Sequence, residues 1–172
     1  ICVMAFAPEV IYIFAGEKYT DAIYVIPPIA LSVLFIFEYS LFSTIEYYYE
    51  KTKWISTATC ICAVLNLVLN FVFIRMYGYY AAGYTTLVCY VFLAYIHYLF
   101  YKKVLKEQSE DAIYDIKLIF VVSIVALILM LILVLLYGNI YIRYSIILVI
   151  LAVVVKYKNM IMDLLFVFKN KG

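Results

Sequence analysis

The feature that most constrains this chain is a series of apolar runs, most of them about 20 residues long, the length of an α-helix that crosses a bilayer. Hydrophobic residues make up 69% of the chain and charged residues 14%, so a water-soluble fold would lack the polar surface to cover them. The runs cover residues roughly 1–14, 23–45, 54–74, 79–101, 117–137 and 140–155.

These runs predict an all-α fold, a polytopic transmembrane helix bundle with about five full spans after a truncated first one. Backbone polar groups in hydrocarbon must be satisfied within a helix or a closed barrel. Barrel strands are shorter and alternate in polarity, whereas residues 127–136 are apolar without alternation. The bilayer is therefore the first partner that the sequence predicts.

The distribution of lysine and arginine predicts the orientation of the spans. Short loops rich in these residues stay in the cytoplasm. Three of the 13 basic residues, Lys18, Arg75 and Arg143, lie in one set of alternate connections. The other ten lie in the opposite set and after the last run: Lys51, Lys53, Lys102, Lys103, Lys106, Lys117, Lys156, Lys158, Lys169 and Lys171. We therefore expect these ten, and the C-terminus, on the cytoplasmic side.

The connections are too short to fold by themselves, so residues 1–172 predict a single transmembrane lobe. Residues 156–172 mix lysines with apolar residues at helical spacing and predict a basic, interfacial cytoplasmic tail. The first run follows Ile1 directly, with no basic segment before it. We therefore expect a C-terminal piece of a longer protein.

Several classes of function are disfavoured. The basic residues are spread between the apolar runs, so nucleic acid is not an expected partner. Cys60 and Cys62 are isolated from other metal ligands, and we interpret them as inert apolar residues. With no phosphate-binding loop and a single histidine, His97, without a nucleophile beside it, we expect neither an enzyme nor a cofactor.

Glu38 lies inside the second run, where an ionised carboxylate is costly unless it faces protein or water. One interpretation is a site for a coupling proton or cation. The other is a carboxyl group near the cytoplasmic interface that is hydrogen-bonded to a neighbouring helix.

Other polar residues within the runs also allow two interpretations. Asn66 and Asn70 are four apart and share one helix face, so they either join helices or contact a polar substrate. His97 is either an interfacial residue among tyrosines or part of a proton relay. Pro27 and Pro28 open the second run, where they either shape packing or act as a hinge.

Two stretches resemble the C-terminal half of bacterial polysaccharide flippases, which belong to the multidrug/oligosaccharidyl-lipid/polysaccharide exporter superfamily. The first is Ala7-Pro8-Glu9-Val10-Ile11, then Phe14-Ala15-Gly16-Glu17-Lys18-Tyr19 and Ala22. The second is Asn66-Leu67-Val68-Leu69-Asn70, then Tyr77-Gly78-Tyr79, Ala81-Ala82-Gly83 and Thr85-Thr86. Arg75-Met76 stands where many members carry a proline. Gly78 suits a tight external turn, and the small residues after it suit close helix packing.

This resemblance implies two helical lobes around a central cavity, of which this chain is one and a missing N-terminal lobe is its partner. It further implies transport of undecaprenyl-diphosphate-linked oligosaccharide across the bacterial plasma membrane by alternating access. Glu38, Asn66 and Asn70 are the candidate residues of the substrate or ion pathway. A cation-coupled multidrug exporter of the same superfamily is the alternative that Glu38 favours. A glycan polymerase or ligase is a weaker one, because the external connections are only a few residues long.

Overall fold

A computed structural model describes residues 2–156, which form seven α-helices and one 3-10 segment and contain no β-strand. The helices are α1 (Cys2–Ala5), α2 (Ala7–Ala15), α3 (Ile26–Tyr48), α4 (Thr52–Tyr77), α5 (Tyr80–Gln108), α6 (Ile116–Leu135) and α7 (Ile140–Lys156), with the 3-10 segment Glu17–Tyr24 between α2 and α3. The predicted all-α fold is confirmed. Most of the predicted cytoplasmic tail, from residue 157 on, lies outside the described residues.

Four of the helices are long and apolar enough to cross a membrane: Ala22–Tyr48, Thr52–Tyr77, Tyr80–Gln108 and Ile116–Leu135. They identify the chain as a multi-pass membrane protein. The fifth predicted full span, 140–155, corresponds to the shorter helix α7 of 17 residues. The first run forms two short helices interrupted at Phe6, just before Pro8, instead of one. Proline in the first turn of α2 lacks an N–H to donate back into α1.

The chain divides into two compact units after Val134. The first unit contains α1 to α5 and all but the last residue of α6, and the second contains α7. The helices of the first unit differ in how much of their most apolar stretch is buried. In α3 and in α5, 39% of that stretch is buried, against 11% in α4. The core of the first unit therefore lies between α3 and α5.

Helices α3 and α5 run parallel to each other. Near their starts, a Cβ placed on Gly83 of α5 would lie 3.1 Å from the carbonyl oxygen of Val25 and 3.2 Å from Cγ of Pro28. At their ends, the Lys51 ammonium lies 2.9 Å from the Glu107 carboxylate. A parallel pair places the α3–α4 and α5–α6 connections at one end of the bundle, as the basic-residue pattern predicts. We call this the lysine-rich end; it carries Lys51, Lys53, Lys102, Lys103, Lys106 and Lys117.

An aromatic cluster fills the core near the lysine-rich end. Phe42 of α3 packs against Tyr101 of α5, with ring centroids 5.3 Å apart. The Tyr101 hydroxyl accepts a hydrogen bond of 2.9 Å from the backbone N–H of Ile113, which precedes α6. The rings of Tyr98 and Phe120 then pair at 5.9 Å. Helix α6 therefore returns antiparallel to α5 along this cluster.

Helix α5 continues to Gln108, seven residues beyond the predicted end at 101. The extension contains Lys102, Lys103 and Lys106, and lysine is a good helix former. The predicted span followed hydropathy and ended at 101, whereas the helix continues because lysine side chains do not interrupt its backbone hydrogen bonds. At the opposite end, Gly78 has φ of 74°, so the tight turn predicted between α4 and α5 is confirmed.

Replacing Gly83 with leucine tests the close approach of α5 to the start of α3. The new side chain would meet the Val25 backbone, so we expect the free energy of unfolding to fall by about 1–3 kcal/mol. Reversible chemical unfolding in detergent measures this change. Gly138→Leu is the matched control, because a Cβ on Gly138 has no atom within 4 Å. Equal effects of the two substitutions would contradict the proposed close packing.

Candidate functional site

Three groups of polar side chains lie within the spanning helices of the first unit and form the candidate sites. The first is a groove between α4 and α5 that contains Asn66 and Asn70. The second surrounds Glu38, and the third is a buried pair, Glu46 and His97. The structure therefore brings the two predicted asparagines together and leaves the predicted glutamate elsewhere.

The groove between α4 and α5 encloses about 520 Å³. We call it the amide groove. Its walls combine polar side chains from both helices with apolar ones. Its lining residues are Thr59, Cys62, Ala63, Asn66, Leu67, Asn70, Thr86, Cys89, Tyr90 and Leu93.

Hydrogen bonds connect the amides to each other and to the neighbouring helix. The Asn70 amide nitrogen donates to the Asn66 amide oxygen at 2.9 Å, so the shared face predicted from their spacing is confirmed. The Thr85 hydroxyl of α5 then donates to the amide oxygen of Asn70 at 2.6 Å. Asn70 thus joins two helices, as one of the two interpretations of this residue requires.

Asn66 has a different environment from Asn70. It is half-buried, lines the groove and accepts its hydrogen bond from its own helix. Its neighbours along α4, Leu67 and Val68, are exposed, and only 11% of the apolar stretch of α4 is buried. An amide that faces hydrocarbon is costly unless it is hydrogen-bonded. The amide groove is therefore suited to face water, further protein or a polar ligand.

Glu38 lies at the middle of α3, about 15 Å from the end of that helix at the rise of an α-helix. Its carboxylate is buried and accepts a hydrogen bond from the Ser123 hydroxyl of α6. Beside it is a cavity of about 180 Å³ with mostly apolar walls, including Phe35 and Phe120. The hydrogen bond to a neighbouring helix, which the structural interpretation of Glu38 requires, is present.

The pair of Glu46 and His97 is the group that sequence analysis missed. The Nδ1 atom of His97 in α5 lies 2.7 Å from Oε1 of Glu46 in α3, and both side chains are completely buried. Glu46 falls just beyond the predicted end of the second run, at residue 45, but within α3. Its position eight residues after Glu38 places both carboxyl groups on one face of that helix. That spacing was the available signal.

Contacts outside the spanning segments hold the lysine-rich end together. The side-chain hydrogen bond with Glu110 raises the pKa of Tyr49 to about 12, because the carboxylate opposes a negative charge on the phenol. Burial, and then Tyr101, raise the pKa of Tyr114. These phenols remain neutral at physiological pH and act there as hydrogen-bond partners.

Comparison with protein families, with curated proteins and with solved structures finds no match to this chain. Among the described residues, no group of three or more His, Cys, Asp or Glu side chains could hold a metal ion. The chemistry of the three polar groups is therefore the basis for inferring a function. Their side chains can exchange hydrogen bonds with a polar ligand and can bind protons.

A double-mutant cycle tests the link between Asn70 and Thr85. Thr85→Val removes the interhelical donor, and we expect a loss of about 0.6–1.5 kcal/mol in the free energy of unfolding. Thr86→Val is the matched control, because its hydroxyl bonds the Ala82 carbonyl of its own helix at 2.7 Å. Thr85→Val should have little further effect in an Asn70→Ala background. An undiminished effect there would contradict the link.

Ser123→Ala tests the partner of Glu38. Without the serine hydroxyl, the buried carboxyl group loses its hydrogen bond from α6. We therefore expect the free energy of unfolding in detergent to fall by about 1–3 kcal/mol. Ser40→Ala serves as the control on α3, because that hydroxyl bonds the Phe37 carbonyl of its own helix. If both alanine variants unfold alike, Ser123 does not stabilise Glu38.

Proposed function

We propose that this chain is one lobe of a transporter that moves undecaprenyl-diphosphate-linked oligosaccharide across the bacterial plasma membrane by alternating access. The observation that carries the proposal is the amide groove, in which amide and hydroxyl groups lie among apolar side chains near the middle of α4, a helix that is otherwise largely apolar. A static membrane anchor has no need of such a group of amides and hydroxyls.

The size and chemistry of the amide groove support a glycan substrate. Its volume, about 520 Å³, lies within the range of ligand pockets, which is about 300–1,000 Å³. The amide nitrogen of Asn66 can donate to a sugar hydroxyl, and the hydroxyl oxygen of Thr86, which already donates to the Ala82 carbonyl, can accept from one. The apolar walls beside them suit the boundary between a polar headgroup and a lipid chain.

The packing of the first unit supports a lobe that moves as a body. Helices α3 and α5 approach closely at Gly83 and share an aromatic core at the lysine-rich end. Helix α4, by contrast, buries little of its surface within this unit. In a two-lobe transporter, the exposed surface of α4 would meet the second lobe across the transport path.

A cation-coupled multidrug exporter is a second candidate, and the environment of Glu38 favours it. A buried carboxyl group beside an apolar cavity of about 180 Å³ could bind a lipophilic cation, with the charge at the carboxylate and the apolar part in the cavity. The two candidates differ in what a deletion strain loses. A flippase predicts accumulation of lipid-linked glycan on the cytoplasmic leaflet with unchanged drug sensitivity, and a drug exporter predicts the reverse.

Asn66→Ala tests the amide groove as the transport path. We expect the complete protein in liposomes to flip a fluorescent polyprenyl-diphosphate sugar at least about tenfold more slowly, the effect of losing one hydrogen bond to the substrate in the transition state. Val68→Ala is the matched control, since Val68 lies on an exposed part of α4 and does not line the groove. Equal rates for the two variants, with both folded, would remove the groove from the path.

A further inference from the structure

The buried pair of Glu46 and His97 has no role in the amide groove. The two side chains join α3 and α5 through the 2.7 Å contact between Oε1 and Nδ1. Neither residue lines the groove or the cavity beside Glu38. An isolated pair of titratable groups inside a spanning bundle is expensive and needs a reason.

Half of the hydrogen-bonding capacity of this pair is unused. Oε2 of Glu46 and Nε2 of His97 are both buried and have no hydrogen-bond partner within the part of the chain that the structure describes. A pair that served only to fasten two helices would be expected to have these atoms satisfied. Because no other described group bonds these two atoms, the net charge of the pair depends only on the number of protons that it holds.

The pair holds one proton in its neutral state. A carboxylate beside an imidazolium and a carboxylic acid beside a neutral imidazole each contain one exchangeable proton, and both have zero net charge. Removing that proton leaves a buried negative charge, and adding a second leaves a buried positive one. Both charged states are strongly disfavoured away from water.

Within residues 2–156, the contacts of the pair are with aromatic and apolar side chains. The His97 ring packs against Tyr39 of α3 at 5.6 Å between centroids and against Phe100 of α5 at 6.3 Å. From α4, Cys62 lies in the same apolar cluster as Tyr39 and Phe100. Four charged groups at the lysine-rich end contact other side chains: Lys51 pairs with Glu107, Lys102 lies over the Tyr98 ring and Lys103 lies over the Trp54 ring.

The pair lies close to the lysine-rich end of the bundle. Glu46 lies in the last turn of α3, two residues before the end of the helix, and the exposed residues Tyr47 and Tyr48 follow it. A small separation of α3 from α5 at the lysine-rich end would let water reach both side chains.

We propose that Glu46 and His97 together form a proton-binding site that couples transport to a proton gradient. The coupling role depends on the proposed transport function, whereas the proton-binding site does not. Binding of one proton from water neutralises the pair and favours close packing of α3 against α5. Its release leaves an unpaired buried carboxylate and favours separation of the two helices. The two conformations thus differ in their affinity for one proton, which is the condition for coupling.

The test compares sugar-lipid flipping by the complete protein in liposomes with and without a pH gradient. If one proton accompanies each substrate, a gradient of one pH unit shifts the leaflet distribution by up to about tenfold. We expect Glu46→Gln and His97→Gln to abolish this shift and to keep flipping without a gradient. Glu50→Gln, an exposed glutamate at the same end, should respond as the unaltered protein does.

A conservative variant distinguishes proton binding from packing. Glu46→Asp keeps an ionisable carboxyl group but shortens it, whereas Glu46→Gln keeps the shape and the hydrogen bond but not the proton. A proton site requires the aspartate variant to retain more of the gradient response than the glutamine variant. The opposite order, or a gradient response in the glutamine variant equal to that of the unaltered protein, would overturn the proposal.

Infrared and histidine NMR titration of the unaltered protein measure proton binding without transport. We expect the carboxyl and imidazole signals of the pair to change together as the pH is varied, because the two groups share one proton. If these signals titrate but no sugar lipid is flipped, the transport function fails and the proton site stands. If flipping occurs but the signals do not change with pH, the proton site fails and the transport function stands.

Discussion

The packing of α3 against α5 determines where every other feature of the first unit lies. These two parallel helices meet at Gly83 near one end and at the Phe42 and Tyr101 rings near the other. They bury far more of their surface than α4 does, so they form the frame on which α4 and α6 pack. The missing side chain at Gly83 lets the backbones approach, and the aromatic rings keep the opposite ends in register.

The polar groups follow from this frame and from the cost of polarity in an apolar environment. Helix α5 presents Thr85 to α4 and His97 to α3, and one face of α3 carries both Glu38 and Glu46. Each of these side chains has a partner on another helix, as the bilayer demands. These interactions nevertheless differ in how many of the polar atoms they satisfy. Glu46 and His97 leave two polar atoms unsatisfied, and the amide groove stays open to its surroundings.

Local pattern predicted much of the candidate site. A separation of four residues placed Asn66 and Asn70 on one helix face, because the helical period is a local property. The same pattern missed Glu46, since hydropathy weakens at the end of a span while the helix continues. It also missed the contact between Ser123 and Glu38, because these two residues are 85 positions apart in the chain.

The sequence by itself determined that this chain is helical, that its helices are long and apolar enough to span a membrane, and which residues share a face of each helix. These properties depend on apolar length and on the period of the helix, and both are local. Only the tertiary structure decided that Glu46 meets His97 and that Thr85 meets Asn70. Helices that are apolar on nearly all sides do not specify which faces meet. That choice depends on the shapes of side chains from distant segments, such as the absent one at Gly83.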